Sequence, residues 1–286
     1  MKGLDKVREK MPAFGGRKII AIPLLMLFIA SLSLGFMLFL DILPRILNTI
    51  QFLTFLEPIL PIAGSLLVAI IGVLGVTSFW RNKDSMIAKH KELAYQKIFP
   101  RGASGVFILM SLILHLLFSV RSLPPGPPVN PITIEFSKSL LYVLSIPVEY
   151  DVVIRVVLGG ILMLFGFLTM RRAIMTFGVD YMLVVYLYFP EEGEIQENDI
   201  YSVIRHPTYF SGVLLILGLM VLRLSVYSIT ISILILLALS VWIRVEEKEL
   251  VERFGEGYAE YMSKTPGLHV RIRDFGKYIR FLKGSS

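Results

Sequence analysis

The chain has 286 residues, of which 55% are hydrophobic and 18% charged, and its mean hydropathy is +0.70. Soluble domains carry about 25% charged residues, so this composition indicates an integral membrane protein with length for several spans. The formal net charge of +7 does not point to nucleic acid, because the cations flank apolar runs. The absence of cysteine excludes disulfides, thiolate catalysis and Cys-based metal sites, and the scattered His90, His115, His206 and His269 form no metal-binding cluster.

Taken in chain order, six apolar runs approach the roughly 20 residues that cross a bilayer. Ile19–Leu40 comes first and reads as a signal anchor, being too long for a removable signal peptide and lacking a small-residue cleavage site. Asp41–Pro58 alternates apolar and polar residues, as an interfacial helix does. Ile59–Trp80 follows, with Gly64, Gly72 and Gly75 permitting close helix approach. Ser104–Val120 is shorter and contains His115, expected to bond a neighbouring carbonyl. The Pro-rich "LPPGPPVNP" (Leu123–Pro131) is a stiff turn. Val152–Met170 spans, with Arg155 near one end, where it can snorkel. "YMLVVYLYF" (Tyr181–Phe189) is too short to span, and the acidic "EEGEIQEND" after it reads as a solvated loop. Tyr209–Leu222 is short. Leu224–Ile243 holds no charge, and only Arg223 and its neighbours separate it from the run before, so the two form a tight antiparallel hairpin.

The fold class expected is therefore all-α, a polytopic transmembrane bundle of about six spans with a C-terminal helical hairpin and a cytoplasmic amphipathic helix. Residues 1–150 read as a variable N-terminal region of three spans, and 151–286 as a second, catalytic membrane region. Of the Lys and Arg residues, 24 fall on one side of this arrangement and four on the other. The positive-inside rule then places both termini in the cytoplasm, in agreement with an even number of spans.

The last hairpin brings two charged motifs to one side. Before it stands "RHPTYFSG" (Arg205–Gly212), with Pro207 suited to the first turn of a helix. After it comes "EEKELVERFGEGYAEYMSKTP" (Glu246–Pro266). On a continuing helix, Glu247, Leu250, Phe254, Tyr258 and Tyr261 share one face. An amphipathic surface helix rooted in an ion pair would show the same pattern, but the two motifs in order, with a charge-free span between, are a more specific constellation.

These motifs, with the preceding "LGGILMLFGFLTMRRA", resemble the isoprenylcysteine carboxyl methyltransferase and phospholipid N-methyltransferase superfamily, over roughly 110 residues from Gly159 to Pro266. The resemblance implies an integral membrane enzyme, of the cell membrane or endoplasmic reticulum, that transfers a methyl group from S-adenosyl-L-methionine to a lipophilic acceptor by carboxyl O- or amine N-methylation. It implies cofactor contacts at Arg205, His206, Pro207, Tyr209, Gly212, Glu246, Glu247, Phe254, Tyr258 and Tyr261, with Leu250, Gly255 and Pro266 completing the pattern. The chemistry of those residues agrees. A carboxylate pair suits an ammonium and a sulfonium, while Arg205, His206 or backbone N–H groups suit the cofactor carboxylate. Tyr258 and Tyr261 suit packing on adenine or closing the pocket, and Gly212 suits either close backbone approach or ordinary helix packing. Glu247 can accept a proton from an amine acceptor, and Arg244 can position a carboxylate acceptor or simply snorkel. The expected partner is thus a membrane lipid or lipophilic small molecule, with neither metal nor nucleic acid.

Two other readings use the same residues. NADPH-dependent membrane sterol or enone reductases share an element like "RHPxYxG", but an Arg-Asp-like element is expected where this chain has Glu246-Glu247, and the acid pair suits a sulfonium better than phosphates. A non-catalytic scaffold or transporter is disfavoured by the intact motifs and by the lack of paired broken helices.

Overall fold

In hydrocarbon every backbone N–H and C=O must bond within the protein, so apolar runs of spanning length become helices. A computed structural model describes residues 2–14, 20–118, 120–124, 126–193, 195, 197 and 199–284. Ile19, Arg17, Lys18, Pro125, Glu194, Gln196 and Asn198, which entered the span, topology and loop expectations above, lie outside the described residues. No strand forms among the described residues. The principal helices are α1 (Ala21–Ile46), α2 (Leu60–Val76), α3 (Ala94–Leu117), α4 (Val148–Phe177), α5 (Pro207–Arg223), α6 (Val226–Phe254), α7 (Glu256–Lys264) and α8 (Phe275–Lys283). Five helical stretches, containing α1, α2, α3, α4 and α6, are long and apolar enough to cross a membrane, and α5 is a shorter apolar sixth. The fold is the expected polytopic helical bundle.

Several helices outrun their apolar runs. Hydropathy marks the part that meets acyl chains, whereas a helix continues until its backbone is broken. Gly178, at φ 101°, ends α4, and Gly255, at φ 62° and ψ −139°, ends α6. The second break corrects the single continuing helix expected through Tyr261. Glycine reaches that backbone region without the penalty other residues incur, so Tyr258 and Tyr261 belong to a separate helix, α7, which turns back.

Packing follows small residues. α1 and α2 both lie against α3, α6 lies against α2, and α4 runs along α5. A Cβ placed on Gly75 would stand 2.7 Å from the Gly105 Cα, and one on Gly159 would stand 2.8 Å from the Gly218 carbonyl oxygen. Each helix pair therefore sits closer than any larger side chain permits. Met37, Val68, Leu112, Ile216 and Ile231 join α1, α2, α3, α5 and α6 in one core. The α5–α6 hairpin turns at Leu224 (φ 44°), and Ser225 and Ser228 form a reciprocal capping box at the start of α6.

At the hairpin end of the bundle, polar side chains pair in ways the local sequence did not show. His115 bonds not a carbonyl but the Asp41 carboxylate, with Nε2 2.7 Å from Oδ2, and its Nδ1 lies 3.2 Å from Ser65 Oγ. Asp41–Ile46 completes α1 rather than forming an interfacial helix, and Arg45 lies buried, 3.4 Å from the equally buried Glu57. Arg155 pairs with Asp151 at 2.7 Å and donates to the Leu222 carbonyl. At the other end, Tyr181–Phe189 forms short helices that bury Val185, Leu187 and Tyr188 against Tyr95, Phe99 and the N-terminal Val7 and Met11.

Candidate functional site

The charged site starts from a helix entrance. His206 is the N-cap residue of α5 and Pro207 its first helical residue. Pro has no N–H to leave unsatisfied there, and its fixed φ suits the first turn. The backbone ahead of this entrance is stapled to the segment after α7: the Arg205 N–H donates to the Pro266 carbonyl at 2.9 Å, and the His206 N–H to the Gly267 carbonyl at 3.2 Å. Pro266, the last residue of the second motif, is thereby held against Arg205, the first residue of the other.

Side chains complete the junction. Arg205 Nε and Nη2 lie 3.0 and 2.6 Å from Glu247 Oε1, and His206 Nε2 lies 2.9 Å from the same oxygen. Arg205 Nη1 donates to the carbonyls of Met262, at 3.0 Å, and Thr265. His206 is buried, and the Arg205 and Glu247 side chains are 11% and 16% exposed. Charge-assisted bonds of this kind contribute about 1.5–3 kcal/mol each, more than neutral ones. Arg205 is thus spent largely on joining α5, α6 and α7. The Oε2 atom of Glu247 accepts no hydrogen bond among the described residues.

Glu246, the other member of the pair, accepts from the Tyr209 hydroxyl through Oε2. Tyr209 stacks on His206 at 5.4 Å between ring centroids and meets Trp242 at 5.1 Å. Trp242 was not among the residues expected here. Its signal was spacing, since it stands four residues before Glu246 and hence on the same face of α6. Tyr258 and Tyr261 pack edge-on at 5.7 Å, both buried, and the Tyr261 hydroxyl donates to the Tyr201 carbonyl at 2.8 Å. Burial pushes both phenols, and that of Tyr201, well above the ordinary tyrosine range, so all three stay neutral.

The remaining expected residues stand further off. Phe254 lies under the Arg253 guanidinium, 4.6 Å from its ring centroid. Arg244 is exposed and joins no bond of the cluster among the described residues. Gly212 sits one turn beyond Tyr209 on α5. A Cβ there would meet nothing within 4 Å, so helix packing does not require this glycine, and it faces open space.

The two motifs thus meet at one end of the bundle; the first, and the second as far as Gly257, fall within the stretch that a known family matches, and Tyr258, Tyr261 and Pro266 lie beyond it. A family model described as phospholipid methyltransferase matches residues 154–257. Over 110 residues the chain is 34% identical to the protein-S-isoprenylcysteine O-methyltransferase of Saccharomyces cerevisiae, a match covering 38% of this chain and 46% of that one. The chain therefore spans less than half the length of that relative. No solved structure matches. The resemblance to this superfamily of membrane methyltransferases holds over its C-terminal region.

Proposed function

We propose that the chain is an integral membrane methyltransferase that uses S-adenosyl-L-methionine and acts on a lipophilic acceptor. The observation that carries this reading is the Arg205–His206–Glu247 junction, which binds the two motifs into one site beside Glu246 and Tyr209. The donor set fits the cofactor. Glu247 and Glu246 each engage one oxygen internally, leaving a second carboxylate oxygen on each for an ammonium and a sulfonium. With Arg205 committed to Glu247, the cofactor carboxylate falls to the first N–H groups of α5, which a helix N-terminus offers to anions. Space beside Gly212, one turn above Tyr209, admits a further group.

When bound, the cofactor supplies an electrophilic methyl group. The chain's own contribution is alignment and exclusion of water. Tyr209, Trp242, Tyr258 and Tyr261 wall the site with aromatic surface, and the Glu247 junction fixes the angle between α5 and α6. An acceptor carboxylate needs no base and is positioned by a cation, for which Arg244 stands exposed on α6, one turn before Glu247. An acceptor amine must lose a proton, and the Glu247 carboxylate can take it only where Glu246 alone holds the cofactor ammonium. The division at residue 150, and the location of both termini in the cytoplasm with the site, belong to the same proposal.

The reading is tested by incubating membranes that contain the protein with S-adenosyl-L-methionine labelled in its methyl group and extracting the lipids. Label in the lipid extract, lost when Glu247 is replaced by Gln, is the expected result. Label confined to water-soluble material would count against a lipophilic acceptor.

A further inference from the structure

The last helix, α8, carries a surface that methyl transfer does not use. Its inner face is fixed to the bundle. Tyr278 is 2% exposed, its hydroxyl lies 2.6 Å from Thr169 Oγ1 of α4, and its ring meets Phe165 at 6.5 Å and Phe210 at 5.9 Å. Thr169 stands two and three residues before Arg171 and Arg172, the cations that close the apolar part of α4. The Tyr278–Thr169 bond therefore holds α8 at the depth where acyl chains give way to headgroups.

The outer face combines two features. Arg273, Lys277, Arg280 and Lys283 are all exposed. Asp274 is the single acid of the segment and lies 3.6 Å from Arg273 and from Lys277, while Arg280 and Lys283 join no ion pair among the described residues. At the start of the helix, Ile272 is 96% and Phe275 51% exposed. A cation row beside bare apolar side chains, held at headgroup depth, has the make-up of a helix that lies in the membrane interface.

We propose that the outer face of α8 binds the headgroups of anionic phospholipids in the surrounding bilayer. Ile272 and Phe275 enter the acyl boundary, and Arg273, Lys277, Arg280 and Lys283 meet the phosphates. Lipid satisfies both features together, whereas an acidic soluble partner would answer the charge alone. Because Tyr278 also touches Phe210, one turn beyond His206, lipid on α8 braces the entrance of α5.

The chain has no cysteine, so Ile272→Cys accepts a polarity-sensitive fluorophore at one position. The full-length labelled protein is placed in nanodiscs of phosphatidylcholine alone, or with phosphatidylserine added. The expected result is a blue shift and severalfold stronger quenching by a lipid-soluble quencher in the anionic discs. Both effects fall at high salt, as screening requires, and disappear when Arg273, Lys277 and Arg280 are all replaced by Gln. These substitutions lie on an exposed surface and leave the melting temperature unchanged. A probe that stays in water in both discs overturns the proposal, and so does insertion of equal depth in both.

Discussion

Replacing Glu247 by Gln is the sharpest perturbation of the candidate site. The amide keeps the shape and an acceptor oxygen but removes the charge that Arg205 meets at 2.6 and 3.0 Å and His206 at 2.9 Å. Bonds to charged groups contribute about 1.5–3 kcal/mol and neutral ones about 0.5–1.5 kcal/mol, so each of the two partners of the carboxylate loses roughly 1–1.5 kcal/mol. The pair is nearly buried, and solvent relieves little of this. The predicted destabilisation is about 2–3 kcal/mol, seen as a lower melting temperature in detergent by the fluorescence of Trp80 and Trp242. Binding falls separately. If the second oxygen of Glu247 holds the cofactor ammonium, losing its charge weakens S-adenosylhomocysteine by about 10- to 100-fold at a temperature well below melting. A variant that melts lower yet binds within twofold of the wild type would show Glu247 to be a structural clamp and refute its ligand role.

Further predictions concern the frame around the site. Gly255→Ala places a side chain at φ 62° and ψ −139°, where nothing crowds it but the backbone is strained by about 1–3 kcal/mol; α7 should shift, and fluorescence-monitored melting and S-adenosylhomocysteine affinity should both fall. Asp41→Asn removes the charge from the buried bond with His115 and should cost about 1–1.5 kcal/mol in thermal stability. Its cofactor affinity should not change, because His115 shares a cavity with Ser228 at the start of α6, nineteen residues and roughly 28 Å along that helix from Glu247. Glu192 anchors the N-terminal segment: Lys10 first, and Lys6 with it, hold its carboxyl below the ordinary 4.5. A depressed carboxylate stabilises fully above its unfolded value and loses that contribution as pH falls through the folded one. Hydrogen exchange of residues 2–14 should therefore quicken as pH drops below about 4.5, after correction for intrinsic rates, and Glu192→Gln should abolish that pH dependence.

Much of the fold was legible because bilayer thickness and hydropathy act locally along the chain. Gly64, Gly72 and Gly75 marked close helix approach for the same reason, since small residues announce contact wherever they fall. The meeting of the two motifs was legible because a tight hairpin can do only one thing with its two ends. What sequence could not show were pairings set by the fold. Asp41 lies 74 residues from His115, and Glu57, twelve residues beyond Arg45, comes within 3.4 Å of it only once the chain between α1 and α2 has folded back. Nor did an unbroken apolar spacing through Tyr261 reveal the break at Gly255, where one backbone conformation overrides the period. The roles of Arg205 and His206 needed side-chain geometry: both turn to Glu247, and Arg205 also caps the carbonyls of Met262 and Thr265.

The central claim concerns the cofactor, and two calorimetric titrations of the detergent-purified protein test it directly, one with S-adenosylhomocysteine and one with NADPH. The carboxylate pair beside Tyr209 predicts saturable binding of S-adenosylhomocysteine and none of NADPH, whose phosphates those carboxylates repel. Tight NADPH binding with no response to S-adenosylhomocysteine would contradict the account and make the site that of a reductase.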